Sequence, residues 1–150
     1  MVWESLGKYR DLGLLLLRLG VGLGFTYFHG WSKLVGGPER WNAVGGAARH
    51  LGIDVGHTAL GFGAAFAESV GGVLIAAGLL FRPAALLLAL TMVVATNSHL
   101  ATGQGSPAHA FKNAWLFLGL LFVGPGRYSV DHWLLTRRSR PAGAPARMVD

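Results

Sequence analysis

A glutamate in the middle of an apolar run is the first residue of this chain with the means to do chemistry. Glu68 lies inside the stretch from Leu60 to Phe81, which is otherwise free of charge. An ionised side chain at the centre of a bilayer costs at least about 2.5 kcal/mol, so it is seldom placed there without a partner or a task. His29 is its natural counterpart. A histidine beside a carboxylate can accept and return protons near neutral pH, which makes His29 and Glu68 the candidate catalytic pair. Around them the sequence offers Arg18 and Lys33 on the stripe that carries His29, Asn97 and His99 late in a third apolar segment, and Lys112 and Asn113 at the start of a fourth. These six are candidate substrate- or cofactor-binding residues. Their cations can balance Glu68 or stabilise charge developing on an oxygen, and their amides can orient a ligand.

An all-α fold, an integral-membrane four-helix bundle, has to position these groups. Of 150 residues, 52% are hydrophobic and 13% charged, against about 25% charged in soluble domains. A spanning helix needs about 20 apolar residues. Four segments qualify: 12–34, 57–81, 84–100 and 108–124. The first carries Arg18 and His29, exceeds a signal core in length and lacks a small-residue cleavage site, so it is expected to stay as a helix. Residues 1–131 form the bundle domain, and 132–150 read as a basic tail too polar to order itself. In the long first connection Trp41, Val44, Ala48 and Leu51 recur at helical spacing. This predicts a short amphipathic helix within Glu39 to Leu51, lying on the outer membrane surface.

The basic residues set the orientation. Lys8, Arg10, Arg82, Arg127, Arg137, Arg138, Arg140 and Arg147 all fall on one face if the spans are four, which puts both termini in the cytoplasm. Their clustering beside membrane ends points to anionic lipid headgroups rather than nucleic acid as the partner of the +6 net charge. The absence of cysteine excludes a membrane thiol relay, iron–sulfur clusters and thiolate zinc sites. Neither His29 nor His99 has a histidine four residues away, and no metal site is expected. Gly20, Gly22 and Gly24 sit within an apolar helix rather than after a strand, so they are packing glycines and not a dinucleotide fingerprint.

Spacing then places the polar groups. Arg18, Gly22, Phe25, His29 and Lys33 follow one another at intervals of four, three, four and four, a single stripe that lipid cannot face. Gly61, Ala64, Ala65, Gly71 and Gly72 flank Glu68 with side chains small enough for a neighbouring backbone to come close. All the candidates except Arg18 fall in the outer half of the bundle, which predicts a small-molecule pocket opening outward or sideways. Glycine faces at Gly20 and Gly24, and at Gly61 and Ala65, exceed the needs of a lone bundle. They predict a homodimer or association with another membrane subunit.

The runs RLGVGLGFTYFHGWSKL from Arg18, AESVGGVLIAAGLLFRPAALLLALTM from Ala67 and GPGRYSVD from Gly124 resemble the DoxX family of small four-helix membrane proteins. The resemblance spans Leu14 to Asp131. It implies a multi-pass protein of the bacterial cytoplasmic membrane that partners an oxidoreductase and is related to the quinone-linked subunit of thiosulfate oxidation. The family's characteristic positions fall on Arg18, Gly22, His29, Gly30, Lys33, Glu68, Gly72, Gly78, Arg82, His99, Gly124, Pro125, Gly126 and Asp131. At the start of the fourth helix, where many relatives carry an acidic residue, this chain has Lys112 and Asn113. The leading expectation is a redox subunit binding quinone, or a similar apolar carrier, in the outer-half pocket. A small-solute or proton-coupled carrier and a purely structural anchor subunit are the alternatives. GPGRYSVD itself reads as an anchoring turn at the headgroup level. A single cysteine introduced at residue 45 of this cysteine-free chain is expected to react with membrane-impermeant reagents from outside only, and labelling confined to the cytoplasmic side would reverse the topology.

Overall fold

The structure, a computed structural model, describes residues 4–138, and among them every regular element is helical. Helix α1 runs from Leu6 to Leu34 and contains a π-helical turn, Phe25–Gly30. Helix α2, Gly37–Gly45, continues as a 3-10 turn, Gly46–Leu51. Helix α3, His57–Ala77, carries a second π-helical turn at Ala67–Gly71. Then come α4, Phe81–Thr102, and α5, Pro107–Val123, with a short α6, Val130–Arg138, at the end. Helices α1, α3 and α4 are long and apolar enough to cross a membrane. Helix α5 occupies the place of the expected fourth span but has only 17 residues.

Burial inverts the soluble pattern. Large side chains such as Leu16, Leu90, Trp115 and Phe122 point outward, whereas Ala65, Ala67 and Ala85 are buried without remainder. Lipid is as apolar as leucine, so helices in a bilayer gain nothing by hiding leucine from it and pack instead through small residues that let backbones approach. The chain is a multi-pass membrane protein. Its core is a cluster of Phe25, Ile75, Phe81, Leu88, Met92 and Phe117.

Several boundaries differ from the expected ones for identifiable reasons. Helix α3 ends at Ala77 and not at residue 81, because Gly78 takes a left-handed conformation with φ 68°. A side chain could not stand there in any case, since its Cβ would strike the Arg18 guanidinium. Helix α4 then starts early, at Phe81, because both oxygens of Asp131 accept its first backbone N–H groups, Leu80 N–H and Phe81 N–H, each at 2.9 Å. Residues 132–138 are helical rather than a disordered tail. The Ser129 hydroxyl caps the first turn by accepting His132 N–H at 3.2 Å, and the Arg137 guanidinium stacks 3.8 Å above the Trp133 ring. The remainder of the expected tail, with Arg140 and Arg147, lies outside the described residues.

The helix expected within Glu39 to Leu51 is present, but its apolar face is turned on the bundle. Trp41 packs edge-on against Phe62 of α3 with ring centres 4.9 Å apart, and its indole N–H donates to Lys33 O at the end of α1 at 2.9 Å. Gly45 and Gly61 make this seat. A Cβ on Gly45 would run into His57 O, and one on Gly61 into Trp41 O. Gly61 and Ala65, read from sequence as a face for another subunit, are therefore buried inside this chain. For the same reason residue 45 cannot carry a probe, and exposed Ala43 is the position to label. Gly61→Ala is expected to lower stability by about 1–3 kcal/mol through overpacking, while Gly20→Ala, which meets nothing within 4 Å, leaves it equal or higher. Thermal unfolding of the two variants in detergent checks the contrast.

Candidate functional site

The site is built where α1 crosses α3, and the crossing is irregular on both sides. A π-helical turn inserts one extra residue, so positions five apart reach the same face. In α1 that brings both Phe25 and Gly30 to the interior, with His29 half-buried beside them. In α3 it buries Ala67, Glu68 and Ser69 in succession. Glycines close the gap between the backbones: a Cβ on Gly30 would overlap Ser69 N, and one on Gly72 would lie 2.6 Å from Gly22 O. The Thr26 hydroxyl stands 3.0 Å from both Gly22 O and Ser69 O, so its proton serves either helix. The Ser69 hydroxyl is buried here without a hydrogen-bond partner among the described residues.

Two polar pairs hang from this crossing. Glu68 is 1% exposed, and its Oε2 accepts from Lys33 Nζ at 2.5 Å. Lys33, one turn beyond the π segment, thus supplies the balancing charge. His29 turns instead toward α5, with its Nε2 2.9 Å from His109 Nε2 and its ring 4.9 Å from that of Phe25. Asn113 braces that contact. Its Nδ2 donates to His109 O at 2.9 Å, which sets the amide orientation, and also reaches His109 Nε2 at 3.1 Å. The proton between the two rings rests on either Nε2, according to the tautomer. A short chain of contacts results: Asn113 orients His109, and His109 meets His29. Among the described residues no hydrogen bond joins His29 to Glu68.

The other candidates are distributed as follows. Asn97 Nδ2 donates to His50 O at 2.7 Å, tying α4 to the turn after α2. His99 Nδ1 lies 2.7 Å from Gln104 O, and its ring covers Gly105 in the α4–α5 loop. Lys112 is exposed. Arg18 sits at the opposite end of α1, buried to 1%, with Nη2 donating to Tyr128 O at 2.5 Å while Nε and Nη1 find no partner among the described residues. It belongs to the anchoring of GPGRYSVD and not to the Glu68 cluster. A sideways groove of about 420 Å³ does open between α4 and α5, with Asn97 on its wall, but it takes in none of His29, Lys33 and Glu68. His109 is not among the candidates named from the sequence. Its spacing of four from Asn113, at the start of a helix entering from the same end as His29, was the available signal.

The two members of the ion pair are not equally trapped. The Lys33 side chain retains 28% of its surface and Glu68 only 2%, so lysine left alone can snorkel out while glutamate cannot. Lys33→Met is therefore expected to destabilise by about 3–5 kcal/mol through the uncompensated carboxylate, and Glu68→Gln by clearly less. Combining Lys33→Met with Glu68→Leu removes both charges together and should recover much of the loss. Unfolding of the three variants in one detergent decides it.

Comparison with characterised proteins and with solved structures gives no match. The family model DoxX matches residues 13–101. That span holds both π turns and the whole α1–α3 crossing, together with Arg18, His29, Lys33, Glu68, Asn97 and His99, and stops short of His109, Lys112, Asn113 and the 124–131 turn. With more than half of its length in the match, including every residue that builds the crossing, the chain belongs to the DoxX family.

Proposed function

We propose that this protein is a four-span membrane subunit of an oxidoreductase system, binding a quinone or a similar small apolar redox carrier in service of sulfur-compound oxidation. One observation carries the reading: two π-helical turns packed together set a buried Lys33–Glu68 pair and a His29–His109–Asn113 chain of contacts at the same end of the bundle. π turns give up regular hydrogen bonding and recur at functional sites. Quinone reduction takes up two electrons and two protons. The electrons come from a partner subunit, His29 and Glu68 exchange the protons, and the Lys33 ammonium offsets negative charge on a quinone oxygen. The carrier's apolar tail fits the sideways groove lined by Leu90, Val93, Leu100, Phe111 and Trp115.

Helix α5 is the fourth span in this reading. Its 17 residues measure about 25 Å at 1.5 Å each, and a shortfall against a hydrocarbon core of about 30 Å is met by local thinning of the bilayer and by Lys112 reaching for the headgroups. In this reading the arginine asymmetry favours both termini on the cytoplasmic side of a bacterial inner membrane. Gly13, Gly20 and Gly24 on α1 meet nothing within 4 Å, which leaves a stripe open to a second copy or to the partner subunit. A purely structural role is the second reading. It is favoured by the closed Lys33–Glu68 pair, which ties α1 to α3 whatever else it does.

Mass spectrometry of lipids extracted from the purified protein is expected to find bound quinone. His29→Asn and Glu68→Gln should each fold and lower activity with the partner enzyme about 10²–10⁴-fold. Both variants retaining full activity would make the cluster structural, and a quinone-free wild-type extract would remove the carrier.

A further inference from the structure

One wide cleft has no part in this chemistry. It encloses about 750 Å³ at the end of the bundle where α1 begins and α6 lies, and is walled by the start of α1, the α3–α4 turn, the end of α5 and helix α6. Arg10, Arg82, Arg127 and Arg138 line it, all exposed, and among the described residues none is paired with a carboxylate. Two acids share the wall, but backbone amides occupy them. Asp11 Oδ1 accepts Arg127 N–H at 3.0 Å, and Asp131 is taken by Leu80 and Phe81. The Arg82 guanidinium crosses the glycine that ends α5, 3.7 Å from where a Cβ on Gly124 would stand. Between the arginines the lining is apolar, with Leu14, Val123 and Leu134. Tyr128 and Trp133 stand exposed beside it, the ring types that settle at headgroup depth.

Unpaired guanidinium groups over an apolar floor, at the end of a membrane bundle, complement an amphiphile with an anionic head. We propose that this cleft binds one anionic phospholipid. Arg10, Arg82 and Arg127 hold its phosphate through paired N–H donors, and the first methylenes of its chains lie on Leu14, Val123 and Leu134. Inorganic phosphate would leave the apolar floor unused, so the lipid is the better occupant.

Native mass spectrometry of the full chain in neutral detergent, with equal amounts of phosphatidylglycerol and phosphatidylcholine of identical chains, tests the site. The wild type is expected to retain one phosphatidylglycerol in preference. Each of Arg10→Gln, Arg82→Gln and Arg127→Gln should lower that preference about fivefold, whereas Arg40→Gln at the far end leaves it unchanged. Equal retention of the two lipids, or an equal loss with Arg40→Gln, overturns the proposal. So does complete displacement by inorganic phosphate, which would mark a simple anion site. Should an arginine variant fail to fold, the wild type alone decides. Its melting temperature rises with short-chain phosphatidylglycerol and not with the phosphatidylcholine, and an equal rise with both refutes the site.

Discussion

Two backbones in contact make everything else at the α1–α3 crossing possible. With glycine at 22, 30 and 72, α1 and α3 approach until Thr26 reaches a carbonyl of the neighbouring helix. A methyl group at Gly30 or Gly72 would wedge the helices apart. Side chains on the flanks of the crossing would then lose their partners, because Lys33 reaches Glu68 only across a gap this narrow. The extra residue in each π turn is the second half of the device. It rotates Glu68 and Ser69 inward together, something a regular helix does only for residues three or four apart.

The two ends of the bundle solve different problems. At the end distal to α6, polar side chains from α1, α2, α4 and α5 bond to one another and to loop carbonyls, as His29 does with His109 and Asn97 with His50 O. The other end is organised by one buried cation. Arg18 lies between Gly78, Ser129 and Tyr128 O, to which its Nη2 donates. Breaking such an arrangement leaves a buried charge uncompensated, so the GPGRYSVD turn is bound to the bundle by electrostatics as well as by packing.

Much of this was legible in the sequence. The inward stripe of Arg18, Gly22, Phe25, His29 and Lys33 is buried or half-buried throughout, because a period of 3.6 is a local property and survives folding. The isolated charge at Glu68 announced a partner; the sequence pointed to His29, with Arg18 or Lys33 as balancing charge, and it is Lys33 that meets the carboxylate. Contacts made across long separations were not legible. His29 meets His109 eighty residues away and Arg18 meets Tyr128 across 110, and nothing periodic links such positions. The π turns escaped too, since a one-residue register shift looks like noise in a helical pattern. Gly61 and Ala65 show a further limit: small residues announce close approach but do not say whether the approaching backbone belongs to the same chain.

The carboxylate of Asp131 has a temporal consequence. It completes the start of α4 from fifty residues downstream, so when α3 and α4 leave the ribosome as a hairpin, the N–H groups of Leu80 and Phe81 have no side-chain acceptor. The hairpin is provisional until the last helical segment has been translated and has docked. A nascent chain lacking its C-terminal end would leave those amides without their carboxylate and Arg18 without the carbonyl of Tyr128.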